Sequence, residues 1–304
     1  MAGRMLAIGE CMVELMQADG GLMRKSFAGD TFNTAYYARQ YLPADWSVDY
    51  FSAVGRDTIS DEMLAFMAGH GIGTEHVGRI EGRSPGLYMI HLKDGERSFS
   101  YWRSASAAKL LARDGDRLRA AIEASDLVVF SGITLAILPP EDVDTLLAEL
   151  RRAKAAGKRV VFDPNIRMRL WDDAARMRAV VTEGARAASL VMPSLDDETT
   201  HFGDATADDT IARYRGLGVE GVVVKDGARG ATLAFGGTRS HVPSAEVKAI
   251  VDTTSAGDSF NGAFLARLAT GATPEDAARF AAAVAAAVIQ HHGALVAKDK
   301  LPEG

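Results

Sequence analysis

From about residue 120 onward, short β-branched runs alternate with alanine-rich helical stretches, and this alternation constrains the fold more than any other feature of the chain. "SDLVVFSG" (125–132) reads as a strand and "PEDVDTLLAELRRAKAAG" (140–157) as a helix closed by Gly157. "KRVVFDPN" is then a strand, "AARMRAVVTEGARA" a helix, "SLVMPS" a strand, "ADDTIARYRGLG" a helix and "VEGVVVKDG" a strand again. A strand that is apolar at every position must be covered on both faces. With helices between the strands, the expected result is a mostly parallel sheet sandwiched by helical layers. The last long helix, roughly 273–291, is almost all alanine and valine and is expected to be buried on most sides.

The first hundred residues read differently. "GLYMIHLKDGERSFSYWR" (86–103) is two alternating runs around Lys93-Asp94-Gly95, a hairpin. With short strands near 10–16 and 22–27 it makes either a small sheet standing off the main one, a candidate lid over segments 10–27 and 86–103, or an edge hairpin of the same sheet. In either case residues 1–304 read as a single α/β unit, which their number allows.

Composition excludes several function classes. The lone cysteine, Cys11, rules out an internal disulfide framework and a cysteine-based zinc site, and its apolar surroundings suggest a buried inert thiol. No apolar stretch is long enough for a secretion signal at the N-terminus or for a bilayer span, so a cytoplasmic protein without a membrane partner is expected. A net charge of −6 without a long basic run argues against nucleic acid. An anionic ligand must then be held by a few placed cations and backbone amides.

Two nucleotide motifs fail on inspection. Around Gly157-Lys158, Arg152 and Arg159 stand where a Walker A loop needs glycine and Ser or Thr. "GHGIGTEH" has His76 in place of the third glycine of a dinucleotide fingerprint, and a helix C-cap is the simpler account.

The stretch "VDTTSAGDSFNGAF" (251–264) carries the sharpest chemical signal. Ser255, Ala256 and Gly257 are small enough for backbone amides to approach a phosphoryl group closely, at the positive end of a helix that starts near Asp258. Asp258 beside them can accept a proton from an attacking alcohol. With a reference pKa of about 4 it needs no tuning to be ionised at neutral pH. The competing account makes Asp258 a helix N-cap.

"DTTSAGDSFNGAFLA" (252–266) resembles the C-terminal signature of the ribokinase/PfkB carbohydrate-kinase family, and "FAGDTFNTAYYARQYL" (27–42) its N-terminal sugar motif. The resemblance covers essentially the whole chain. It implies a ribokinase-like, Rossmann-like α/β/α fold with a β-sheet lid, ATP as donor and Mg²⁺. Ser255 departs from the family's glycine or alanine, and its N–H still serves the anion hole with tighter sterics. "GDTFNTA", "GLYMI", "SYWRSASAA" and "FDPNIRMRLW" resemble the branch that phosphorylates the sugar acid 2-keto-3-deoxygluconate.

That resemblance implies a role for each matching residue. Arg103 and Arg167, with Tyr101, hold the substrate carboxylate, which guanidinium geometry suits. Gly29, Asp30, Asn33 and Tyr88 hold hydroxyls. Asn165, Ser194, Lys225, Gly227 and Gly230 face the nucleotide, and Asp197 and Glu198 organise the metal indirectly. Asp252 and Thr254 match positions where some relatives bind a monovalent cation such as K⁺. The adjacent pair His291-His292 reads as a helix end before Gly293, and Trp102 and Trp171 as core or sugar-site aromatics. The lid is expected to favour a homo-oligomer. A fructokinase-like enzyme for a neutral hexose and a non-catalytic sugar-binding regulator are the alternatives.

Overall fold

The computed structural model describes residues 2–93 and 96–304, so the turn residues Asp94 and Gly95 lie outside the described residues. The strands are β1 (Gly3–Ile8), β2 (Met12–Gln17), β3 (Met23–Ala28), β4 (Trp46–Val54), β5 (Val77–Arg79), β6 (Leu87–Lys93) and β7 (Glu96–Trp102). They continue with β8 (Leu127–Ser131), β9 (Arg159–Asp163), β10 (Leu190–Val191), β11 (Gly221–Lys225), β12 (Ala231–Phe235) and β13 (Thr238–Val242). The helices are α1 (Asp30–Tyr41), α2 (Thr58–Gly69), α3 (Gly115–Glu123), α4 (Gly132–Ile137), α5 (Pro140–Ala155), α6 (Ala174–Ala187), α7 (Leu195–Phe202), α8 (Ala207–Gly216), α9 (Ala256–Ala269) and α10 (Pro274–Val288).

The large sheet has the order β13-β12-β11-β10-β9-β8-β1-β4-β5. From β5 across to β11 every pairing is parallel, and β12 and β13 close the far edge as an antiparallel ribbon. Strand side chains alternate between two cores, which is why these strands are apolar throughout. Met5, Leu127, Val129, Val161 and Val223 join the core beneath α1, α9 and α10, with Phe32, Phe264 and Val284. Their neighbours Leu6, Val128, Phe130, Phe162 and Val222 join the opposite core, with Leu146, Val181 and Tyr214 of α5, α6 and α8.

The helix expected at 174–187 spans those residues, and Gly157 ends its helix in the left-handed region, φ 81°. The final helix stops at Val288, three residues short of expectation, because the chain turns through Ile289 to Gly293, where φ is 91°.

The 86–103 hairpin belongs to a second sheet, order β3-β2-β6-β7, and not to an edge of the main one. Tyr88 and Tyr101 are opposite each other across β6 and β7, which puts both rings on one face. Cys11 is buried, and burial raises its thiol pKa well above the ordinary value, as an inert packing residue requires.

Candidate active site

A cavity of about 550 Å³ lies between the small sheet and the carboxyl ends of the parallel strands, the usual ligand edge of such a sheet. Glu10 follows β1, Asp163 ends β9, Lys225 ends β11, and the first turn of α9 closes the floor. The small sheet contributes Met12, Tyr88, Phe99 and Tyr101.

The α9 start departs from the expected cap. Ser255 occupies the N-cap position, and Asp258 falls at the third helical residue. Asp258 therefore does not cap the helix: its Oδ2 accepts from Asn33 Nδ2 at 2.8 Å, a bond between residues 225 positions apart. Gly262 makes this meeting possible. A Cβ there would lie 2.5 Å from the Thr34 carbonyl oxygen, so α9 and α1 approach backbone to backbone one turn beyond Asp258.

Asp258 is half-buried beside other acids. Loss of solvent chiefly, and then the Asp30 carboxylate, push its pKa from 3.8 up to about 7, with Asp163 adding to the rise; the Asn33 hydrogen bond and Lys225 oppose it. Contrary to the expectation of an untuned acid, Asp258 is poised to titrate near neutrality. Burial and like charge are properties of the assembled site, and no local sequence signal carries them.

Ser255 adopts φ 64°, ψ 11°. A serine in this left-handed region is strained by about 1 kcal/mol relative to glycine. Its Oγ is buried without a hydrogen-bond partner among the described residues. Gly257 has room: a Cβ there would meet only Lys225 Nζ, at 3.5 Å. Lys225 Nζ donates to Asp163 Oδ2 at 3.0 Å and to Asn261 Oδ1 at 3.1 Å, while Asn261 Nδ2 donates to the same Asp163 oxygen at 2.6 Å. An ammonium is thus held at the helix start by a carboxylate–amide clamp.

On the opposite wall Asp30 Oδ2 accepts from Asn165 Nδ2 at 2.8 Å, and Asn165 has a positive φ of 35°. This places Asn165 against the Asp30 side chain. Gly29 is needed for packing, since a Cβ there would sit 2.1 Å from the Glu10 carbonyl oxygen. Tyr88 donates its hydroxyl to Glu14, and burial and that carboxylate raise its pKa. Arg103 is paired with the buried carboxylate of Glu10. Arg167 is more open: Nη1 donates to the Ile166 carbonyl at 2.9 Å and lies 3.9 Å from Asp197. Arg169 donates to the Tyr101 hydroxyl, and its guanidinium carbon lies over that ring, 4.1 Å from the centroid.

Not every expected residue reaches the cavity. Glu198 is fully buried on the far side of α7, where it accepts from Tyr214 at 2.8 Å and from Arg213. Burial, against the pull of Arg213, drives its pKa up to about 7. It is a core acid, and the metal role expected of it has no geometric support. Asp197 does line the cavity, half-buried, its pKa raised chiefly by burial. Ser194 faces the cavity from the α7 N-cap position without capping the helix through its side chain. Gly227 and Gly230 shape a tight turn after β11, with φ of 51° and 98°, just outside the cavity wall. Asp252 is buried, with one oxygen accepting from Thr254 N at 3.0 Å and the other from Gly293 N at 2.7 Å. Trp102 is exposed beside a neighbouring cleft, and Trp171 packs on the second core.

Three cavity residues, Glu10, Asp163 and Arg169, and Asn261 buried behind them, went unremarked in the sequence. Asp163 had a readable signal, a lone acid ending an apolar strand of a parallel sheet. Asn261 had another, one helical turn after Asp258 on the same face. Glu10 and Arg169 had none, because each is defined by a partner distant in sequence.

The comparisons agree with this geometry. A family model described as pfkB family carbohydrate kinase matches residues 3–301. The 2-dehydro-3-deoxygluconokinase of Escherichia coli (strain K12) is 38% identical over 309 residues, covering 99% of this chain and 100% of that protein. The enzyme of the same name from Dickeya dadantii (strain 3937) is 37% identical, covering 97% of each. Among solved structures, a putative ribokinase II from E. coli in complex with ATP and Mg²⁺ superposes with a TM-score of 0.83 at 24% identity, over 97% of this chain and 94% of that one, a likeness of fold. With the family model matching residues 3–301 and relatives 37–38% identical across nearly the whole chain, the chain belongs to the pfkB family of carbohydrate kinases.

Proposed function

We propose that the protein transfers the γ-phosphoryl group of ATP to the terminal hydroxyl of 2-keto-3-deoxygluconate, also called 2-dehydro-3-deoxygluconate, giving the 6-phosphate. The observation that carries this reading is Asp258, held by Asn33 at the mouth of the α9 amides with a pKa of about 7, in a cavity whose opposite end gathers arginines. The full-length relatives named 2-dehydro-3-deoxygluconokinase supply the substrate.

In this mechanism the sugar acid lies with its carboxylate toward Tyr101, Arg103 and Arg167 and its chain hydroxyls toward Asp30 and Asn33. The terminal hydroxyl meets Asp258, which takes its proton as oxygen attacks the γ-phosphorus; the bond from that phosphorus to the bridging oxygen breaks and ADP departs. The amides at 255–258 and the Lys225 ammonium hold the charge of the transferring group, so positioning and electrostatics provide the acceleration. The turn at Gly227 and Gly230, with Ser194, borders the nucleotide side. Bound with ATP, Mg²⁺ neutralises phosphate charge. Magnesium keeps several waters and uses few protein ligands, and Asp196 and Asp197 at the cavity wall would hold it through those waters.

The small sheet acts as the lid, and Met23 and Trp102, exposed on its two edge strands, offer apolar side chains for pairing with a second copy. A K⁺ requirement would place a cation beside Asp252 and Thr254, a reading supported by the family likeness alone. Asp252 otherwise serves to tie its loop to Gly293.

A coupled assay of ADP release tests the function. The sugar acid should be turned over with Mg²⁺ present and fructose far more slowly. Equal turnover of fructose would refute sugar-acid specificity, and ATP consumption independent of any sugar would refute the kinase reading.

A further inference from the structure

Four cations line the cavity, and three of them have a carboxylate partner. Arg103 is paired with Glu10, Lys225 with Asp163 at 3.0 Å, and Arg167 with Asp197 at 3.9 Å. Arg169 alone has no carboxylate within ion-pair distance among the described residues. Its guanidinium carbon lies over the Tyr101 ring, 4.1 Å from the centroid, and the group donates to the Tyr101 hydroxyl. That ring is braced in turn by Tyr88 and Phe99, at centroid separations of 5.9 and 6.1 Å. A guanidinium carries five N–H donors in a rigid plane, so one bond to Tyr101 leaves an edge free for a two-point contact. The cation–π contact and the hydroxyl bond restrain the side chain and lower the entropy lost when an anion docks. A cavity rich in Asp and Glu repels a carboxylate unless one cation there is uncompensated.

We infer that Arg169, on its Tyr101 platform, is a further determinant of selection for a carboxylate substrate, acting beside Arg103, whose charge is shared with buried Glu10. Arg167 completes the carboxylate contact from the other side of Met168. This inference rests on the proposed sugar-acid kinase function and names a further residue that sets its substrate class.

Calorimetric titration without ATP tests it, using 2-keto-3-deoxygluconate and its uncharged carboxamide as probes. The wild-type protein should bind the acid more tightly. Arg169→Ala should weaken the acid about 10- to 100-fold, as loss of a charge-assisted pair implies, while the carboxamide changes less than about threefold. Arg169→Lys should restore part of the acid affinity, and Tyr101→Phe, which keeps the ring, should weaken the acid less than Arg169→Ala does. Arg169 is exposed, so its variants should melt with the wild type. Arg169→Ala that binds the acid normally, or that loses acid and carboxamide equally, overturns the inference and leaves the kinase function standing. Wild-type protein that binds neither probe refutes the function itself, and the inference with it.

Discussion

Replacing Asp258 by asparagine should abolish turnover and at the same time stabilise the empty protein. The carboxyl pKa is raised from 3.8 to about 7, mainly by loss of solvent and by Asp30. Between those two values the folded state binds more protons than the unfolded chain, so stability falls as pH rises through the window and is level above it. The shift of about 3 units at roughly 1.4 kcal/mol each makes the ionised Asp258 cost about 4 kcal/mol above pH 8. At pH 4.5 the same arithmetic gives about 1 kcal/mol. Asparagine keeps an acceptor for Asn33 Nδ2 and carries no charge. Asp258→Asn should therefore raise Tm by several degrees at pH 8.5, up to about 8 °C, and by no more than about 2 °C at pH 4.5. Thermal unfolding monitored by circular dichroism at both pH values, beside the coupled assay, provides the test. Turnover should drop by several orders of magnitude. A variant less stable than wild type at pH 8.5, or equally shifted at both pH values, would refute the buried-acid account, and near-normal turnover would remove Asp258 from the base role.

The acid limb of kcat/KM should lie near pH 7, with a roughly tenfold loss between pH 8 and 6; Asp30→Asn should move that limb to lower pH and Asn33→Ala to higher pH, and a flat profile from 6 to 8 would contradict both. Gly257→Ala should leave Tm unchanged, because its Cβ fits against Lys225, yet reduce kcat by about 100-fold by crowding the phosphoryl group; an active variant would move the phosphate elsewhere. Arg213→Ala should destabilise the protein by about 3–5 kcal/mol by stranding buried Glu198, with Glu198→Gln restoring much of the loss and neither change affecting kcat in protein kept folded. A large kcat effect in Glu198→Gln would return that residue to the metal.

Much of this architecture was legible in the chain. The helix at 174–187, the strands around 127–131 and 221–225 and the glycine stop at 157 follow from periodicity and caps, which are local properties. The position of Asp258 after three small residues was equally local. What the pattern left open was which partner each charge would meet. Arg103 was readable as a carboxylate ligand and is paired with Glu10; Glu198 was readable as a metal neighbour and is buried against Arg213 and Tyr214.

By itself, then, the sequence determined the layers, the strand directions and the residue that can serve as base, because hydrophobic period and turn chemistry act over a few residues. Only the tertiary structure decided the pKa of Asp258, the clamp on Lys225 and the placing of Arg169 over Tyr101, with no carboxylate in ion-pair distance among the described residues. Each depends on distances between segments up to 225 residues apart. Those distances are set by how closely helices such as α1 and α9 pack at Gly262. Electrostatic energy varies steeply with separation and burial, and neither quantity is encoded in local order.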